Sequence, residues 1–107
     1  MDRGIMKKYK DFELEVLGEK WSVIYSPFVA DPQTGQASCG LCDFASKSIF
    51  ISNSLDHQTT VITLIHELFH AYTRRSGIYN GMLSFDMEEI ISDQFATVVA
   101  ENFDFKL

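Results

Sequence analysis

An α+β fold is predicted by the order in which two periodicities follow one another along the chain. Between Phe12 and Ser52, apolar and polar residues alternate in short stretches, the spacing of strands. From about Gln58 onward, apolar residues recur every three or four positions, the spacing of helices, in two blocks separated by a glycine-bearing loop. Strands followed by helices imply segregated elements rather than an alternating βαβ succession. At 107 residues the chain has room for one domain, 1–107, with the 46% hydrophobic and 22% charged content of an ordinary globular protein. Nine phenylalanines predict a phenylalanine-rich core.

In the stretch FELEVLGEKWSVIYS, residues 12 to 26, Phe12, Leu14 and Val16 share one parity, and Trp21, Val23 and Tyr25 share another. Gly18-Glu19 lies between them, so the segment reads as a β-hairpin with a tight glycine turn. The overlapping stretch YKDFELEVLGEK also tolerates a short helix. Residues 27 to 38, PFVADPQTGQAS, are turn-rich and read as a loop. CGLCDF and KSIFIS suit two short strands joined around Asp43 to Lys47, with Ile49 and Ile51 on one face and Phe50 on the other.

The first helix is predicted over about Gln58 to Arg75. Ser54 and Asp56 are candidate N-caps, Arg74 and Arg75 sit in the last turn where cations suit the helix dipole, and Gly77 is a candidate C-cap. SGIYNGMLS follows as a loop. The second helix starts near Ser84 to Asp86 and runs to about Phe103.

The formal net charge of −6 argues against nucleic acid as a partner, because there is no basic surface to displace counterions. The short run Lys7, Lys8, Lys10 reads as a solvated segment. No apolar stretch follows those charges as a secretory leader requires, and no run approaches the ~18 apolar residues of a membrane span. The expectation is a soluble protein of the cytoplasm. Cys39 and Cys42 form a lone CxxC; a structural zinc site takes four ligands, so two reduced, structural thiols are expected.

The chemistry lies in TLIHELFHAY, residues 63 to 72. On a helix, Thr59, Thr63, His66, His70 and Thr73 form one narrow polar stripe through an otherwise apolar surface. Burying imidazoles and a carboxylate there costs free energy unless something compensates, and a metal ion does so. His66 and His70 are one turn apart, so both rings reach one point at the ~2.0–2.1 Å of zinc–nitrogen bonds. Glu67 lies about 100° round the helix from His66, within reach of a metal-bound water but not of tight ligation, which is why HExxH on a helix is the zinc peptidase pattern.

Catalytic zinc takes three protein ligands, and EEIISDQFATVVAENF offers the third. Glu89 and Asp93 are four apart on a face continued by the small residues Ala96 and Ala100, and the 18 residues between His70 and Glu89 suffice for an antiparallel return. Asp93 can accept a hydrogen bond from the outer N–H of a ligand histidine. Two competing readings remain: Asp86 and Glu89 can form a capping box, and Glu88 can replace Glu89 as ligand. Because Glu88 shares a mostly apolar face with Ile91, Ser92, Phe95 and Val99, Glu89 is preferred.

HExxH followed at this distance by ExxxD resembles the gluzincins, the thermolysin-like zinc peptidases, over roughly residues 40 to 104. Thermolysin-type enzymes carry a large second lobe, so a chain of this size looks more like compact relatives, the minigluzincins and the ImmA/IrrE-type metallopeptidases common in bacteria and their phages. The resemblance implies a small zincin-like domain: a short N-terminal antiparallel or mixed sheet with an edge strand, then an active-site helix and a glutamate helix. It implies one Zn2+ per chain with His66, His70 and Glu89 as ligands, Glu67 as general base and Asp93 behind a ligand. The implied activity is that of a metalloendopeptidase acting on a peptide or protein aligned along the edge strand, here SIFIS. Tyr72, Tyr79, Arg74, Arg75 and His57 are the candidate transition-state donors in place of the second lobe. The alternative is a non-catalytic zinc-binding module that docks a partner protein in the same groove.

Overall fold

A computed structural model describes residues 8–78 and 81–107. Strands β1 (Phe12–Val16), β2 (Glu19–Ser26), β3 (Gly40–Asp43) and β4 (Ser48–Ser52) precede helices α1 (His57–Ser76) and α2 (Phe85–Asn102). The fold is α+β, a mixed four-stranded sheet followed by two helices.

β1 and β2 pair antiparallel from Phe12↔Val23 to Val16↔Glu19, so residues 12 to 26 form a hairpin and not a helix. Its turn is Leu17-Gly18, with φ of 49° and 83°; two positive φ values in succession match the twist of a two-residue hairpin. β4 then pairs parallel to β2, and β3 pairs antiparallel to β4, for a strand order β1-β2-β4-β3.

That order corrects the edge-strand expectation. SIFIS is not at the edge: β4 is hydrogen-bonded on both sides, and the edge strands are β1 and β3, β3 being the one beside β4. The physical reason lies in burial. Ser48, Ile49, Ile51 and Ser52 are all buried, so both faces of β4 are covered, as in a central strand. Every residue of β3 is only half-buried.

α1 begins at His57, with Asp56 as N-cap accepting from the Thr59 N–H at 2.7 Å. It ends at Gly77 in the left-handed region, φ 83°, whose N–H returns to the Thr73 and Arg74 carbonyls. Thr60, Leu64, Glu67 and Ala71 are buried along one side of α1. Ser84 caps α2 by accepting from the Met87 N–H at 3.1 Å, so the capping-box alternative for Glu89 does not hold.

The core cluster comprises Val16, Trp21, Val23, Tyr25, Ile49, Ile51, Leu64 and Ala71. It is not phenylalanine-rich. Phe12 and Phe44 pack only at its margin, and Phe28, Phe85, Phe95 and Phe103 are exposed. α2 explains part of this, because it buries its small residues, Ser92, Ala96 and Ala100, and turns Phe85, Ile91 and Phe95 outward. Among the described residues no helix is long and apolar enough to cross a membrane.

Candidate metal centre

His66 and His70 project from successive turns of α1, their rings edge-to-face with centroids 4.7 Å apart. Their Nε2 atoms stand 3.0 Å from each other. Glu89, from the first turns of α2, brings Oε1 to 2.6 Å from His70 Nε2 and 3.7 Å from His66 Nε2. The small side chains of Ser92, Ala96 and Ala100 form the buried line of α2 and let the two helix backbones approach. His66, His70 and Glu89 form a group that could hold a metal ion.

The outer nitrogens decide what the inner ones present. His66 Nδ1 lies 2.8 Å from Asp93 Oδ1, with Ser92 Oγ at 3.3 Å, and His70 Nδ1 pairs with Glu88 Oε2. An ionised carboxylate only accepts, so in the neutral rings each Nδ1 carries the hydrogen and each Nε2 presents a lone pair. Three lone pairs, two of nitrogen and one of a carboxylate oxygen, then converge with no hydrogen between them. In that tautomer the three donors repel one another, and a cation placed among them relieves the repulsion. A tetrahedral zinc ion spaces its donors ~3.3–3.4 Å apart, given bonds of ~2.0–2.1 Å. The observed separations of 2.6, 3.0 and 3.7 Å bracket that value, so these residues fit zinc.

Glu67 occupies a different side of α1. It is buried at the sheet-facing side, and the strand above it can be so near only because residue 40 is glycine. A Cβ on Gly40 would stand 2.6 Å from Thr63 Cγ2, 3.2 Å from Glu67 Cγ and 3.2 Å from the Phe50 carbonyl oxygen. Burial pushes the Glu67 carboxyl above its ordinary value; the His66 and His70 rings oppose that rise, and Glu89 and Asp93 add to it. The result is a carboxylate more basic than a solvated one.

His66, Glu67, His70 and Glu89 line one cleft of about 490 Å³, closed on the other side by Gly40, Leu41 and Cys42 of β3. Burial pushes the Cys42 thiol far up, assisted by the Glu67 carboxylate and opposed by Arg74. Cys42 is therefore a neutral wall residue. It and Cys39 are unbridged.

The structure thus brings together all five residues singled out from the sequence, with Asp93 in contact through His66. Sequence reasoning weighed Glu88 only as a rival metal ligand and set it aside for its mostly apolar face; its contact with the outer nitrogen of His70 was missed. Glu88 is buried, and Thr73 Oγ1 donates to its Oε2 at 2.9 Å. The contact line of α2 toward α1 is Glu88, Ser92, Ala96 and Ala100, spaced by four, with Glu89 and Asp93 beside it. The available signal was Thr73, a buried stripe residue that needed a polar partner. Of the five candidate donors, Arg74 lines the cleft. Tyr72 packs on Phe69 outside it, His57 Nδ1 meets the Tyr9 hydroxyl at 2.7 Å, and Arg75 reaches toward Leu17 O and Glu19. Tyr79 lies outside the described residues. In comparisons with known proteins, no family model, no curated protein and no solved structure matches this chain.

Proposed function

We propose that this chain is a zinc-dependent metalloendopeptidase of gluzincin type. The observation that carries the reading is the convergence of His66 Nε2, His70 Nε2 and Glu89 Oε1 beside the buried carboxylate of Glu67. Zinc bound there would supply a water of pKa about 7 and an electrophile for a peptide carbonyl. Glu67 would serve as the general base at its carboxylate, taking a proton and returning it to the leaving amine, a role suited to a carboxyl raised by burial. Asp93 and Glu88 hold the two imidazoles in the tautomer that presents Nε2. The free edge of β3, held close to Glu67 by Gly40, offers backbone groups to an extended peptide. The partner is a peptide or protein, and neither a nucleic acid nor a membrane. Two unbridged thiols favour a reducing cytoplasm as its compartment.

A zinc-bound, non-catalytic docking module is the second reading. The exposed apolar side chains Phe85, Ile91 and Phe95 of α2 favour it. Digestion of a peptide library by zinc-loaded wild type and Glu67→Gln, matched in zinc content, separates the two. Cleavage by the wild type that falls by about 10²–10⁴-fold in Glu67→Gln supports the peptidase. Equal cleavage removes Glu67 as base, and a zinc-loaded wild type that cleaves nothing puts the docking module first.

A further inference from the structure

α1 meets the rest of the molecule on two of its sides. Thr60, Leu64, Glu67 and Ala71 are buried toward the sheet, and His66, His70 and Thr73 meet the first turns of α2. On a third side, Ile62, Ile65, Phe69 and Tyr72 follow one another at helical spacing and form one stripe. The first three are half-buried, and Tyr72 is exposed. α2 carries a second such stripe. Met87, Ile91, Phe95 and Val98 are turned away from the buried line of Ser92, Ala96 and Ala100, and all four are exposed. Phe69 joins the two stripes, its ring centroid 6.0 Å from that of Tyr72 and 6.5 Å from that of Phe95. The helix layer thus carries an apolar face on the side away from the sheet.

Apolar side chains scattered singly over a surface need no explanation. These are contiguous, and neither stripe includes a charged residue; Gln94, exposed beside Ile91 and Val98, is uncharged too. The acidic residues Asp86, Asp93 and Glu101 lie on the flank of α2. Phe95 is 53% exposed and Val98 55%. With roughly 200 Å² for a large apolar residue, the two stripes present on the order of 600 Å². That is the upper end of what a monomer leaves open. Two such faces in contact would bury about 1,200 Å², and specific association takes about 1,000 Å². Charge selects the occupant. Each copy carries a net charge of −6, so two copies repel unless they meet where no charge lies. This face offers no charge pattern by which a different protein would be steered or sorted, and it is complementary to itself.

We infer that a second copy of this chain covers the face, in a two-fold dimer whose four helices pack between two outward sheets. A two-fold contact sets the same patch of both copies together, so any charge on it would meet its like. An uncharged patch escapes that cost. His66 and His70 belong to a different side of α1, so zinc binding needs no second copy.

Sedimentation equilibrium of the full chain over a concentration series tests this. The wild type should reach a plateau at twice the chain mass, with a Kd of about 10 µM or tighter, within the range open to an interface of this size. Phe95→Glu and Val98→Glu, made separately, each set a carboxylate against an apolar face and should weaken the dimer at least about 100-fold. Val98→Glu leaves the Phe69–Phe95 contact in place, so it decides the matter if Phe95→Glu loosens the helix pair. Circular dichroism and zinc content of Val98→Glu should match the wild type. Phe28→Glu adds the same charge at an exposed residue off this face and should leave the dimer intact. High salt should leave it intact as well, because no ion pair crosses the contact. A wild type still monomeric at about 100 µM, association that climbs past two copies without a plateau, or a dimer kept by the folded Glu variants overturns the inference. Dissociation by salt or by Phe28→Glu also overturns it, since the contact would then lie on a charged surface elsewhere.

Discussion

Glu88 stands directly behind His70, its carboxylate oxygen against the ring Nδ1 while the opposite nitrogen faces Glu89. The same oxygen accepts from Thr73 Oγ1 at 2.9 Å, so α1 supplies both the ring that Glu88 orients and the hydroxyl that orients Glu88. Asp93 does for His66 what Glu88 does for His70. Consecutive residues of α2, Glu88 and Glu89, therefore act on the two ends of one imidazole.

This pairing makes Glu88 consequential. Glu88→Ala should weaken zinc binding by about 10–100-fold, the usual size of losing such a support. Glu88→Gln keeps an acceptor oxygen and should lose less. Glu89→Gln should lose more than Glu88→Gln, because its oxygen is one of the three donor atoms that converge, the other two being ring nitrogens. Competition against a chelator of known affinity gives the order. If Glu88→Ala binds zinc as tightly as wild type, the carboxylate is structural only.

Metal content is a second expectation. The purified protein should hold one zinc per chain, as the described residues contain one such donor group. Chelation should lower the Tm, because a ligand present at about 1,000 times its Kd contributes about 4 kcal/mol to stability. Two zinc ions per chain would assign a second site to Cys39 and Cys42.

Gly40→Ala should loosen β3 from α1. Its new Cβ meets Thr63 Cγ2 at 2.6 Å and the Phe50 backbone oxygen at 3.2 Å, and overpacking of this kind costs about 1–3 kcal/mol. Thr63→Ser removes the nearest of these atoms, so the double variant should recover part of the loss in urea unfolding. No recovery would mean that the Phe50 carbonyl is the controlling contact.

Tyr25 sets a limit at alkaline pH. Its hydroxyl is buried and has no hydrogen-bond partner among the described residues, and burial pushes its pKa up to about 12 from an ordinary 10. The folded protein thus holds this proton more tightly than the unfolded chain. The linked stability is fully present below pH 10 and is lost as pH rises through about 12. Tyr25→Phe should flatten that fall, and should be neutral to about 1 kcal/mol stabilising at neutral pH, because an unpaired hydroxyl leaves the core. Urea titrations of both proteins from pH 8 to pH 12 check the slope; parallel curves would exclude Tyr25 as its source.

Local features were legible in the sequence because their causes are local. Alternation in FELEV and WSVIY and a glycine turn between them specify a hairpin through residues at most a few positions apart, although the turn is Leu17-Gly18 and not the expected Gly18-Glu19, which leaves Glu19 paired in β2. Asp56, Gly77 and Ser84 cap their helices through bonds to neighbouring backbone groups. His66 and His70 share a direction by helical pitch alone, as do Glu89 and Asp93. The strand order was not legible, because pairing β4 with both β2 and β3 depends on which of several apolar strands is covered on both faces. Nor was the role of Glu88. Whether α2 turns Glu88 or Ile91 toward α1 depends on its rotation about its own axis. That rotation is set by close packing of Ser92, Ala96 and Ala100 against α1, which admits small residues and expels Phe95, and no periodicity within α2 records the shape of the helix it meets.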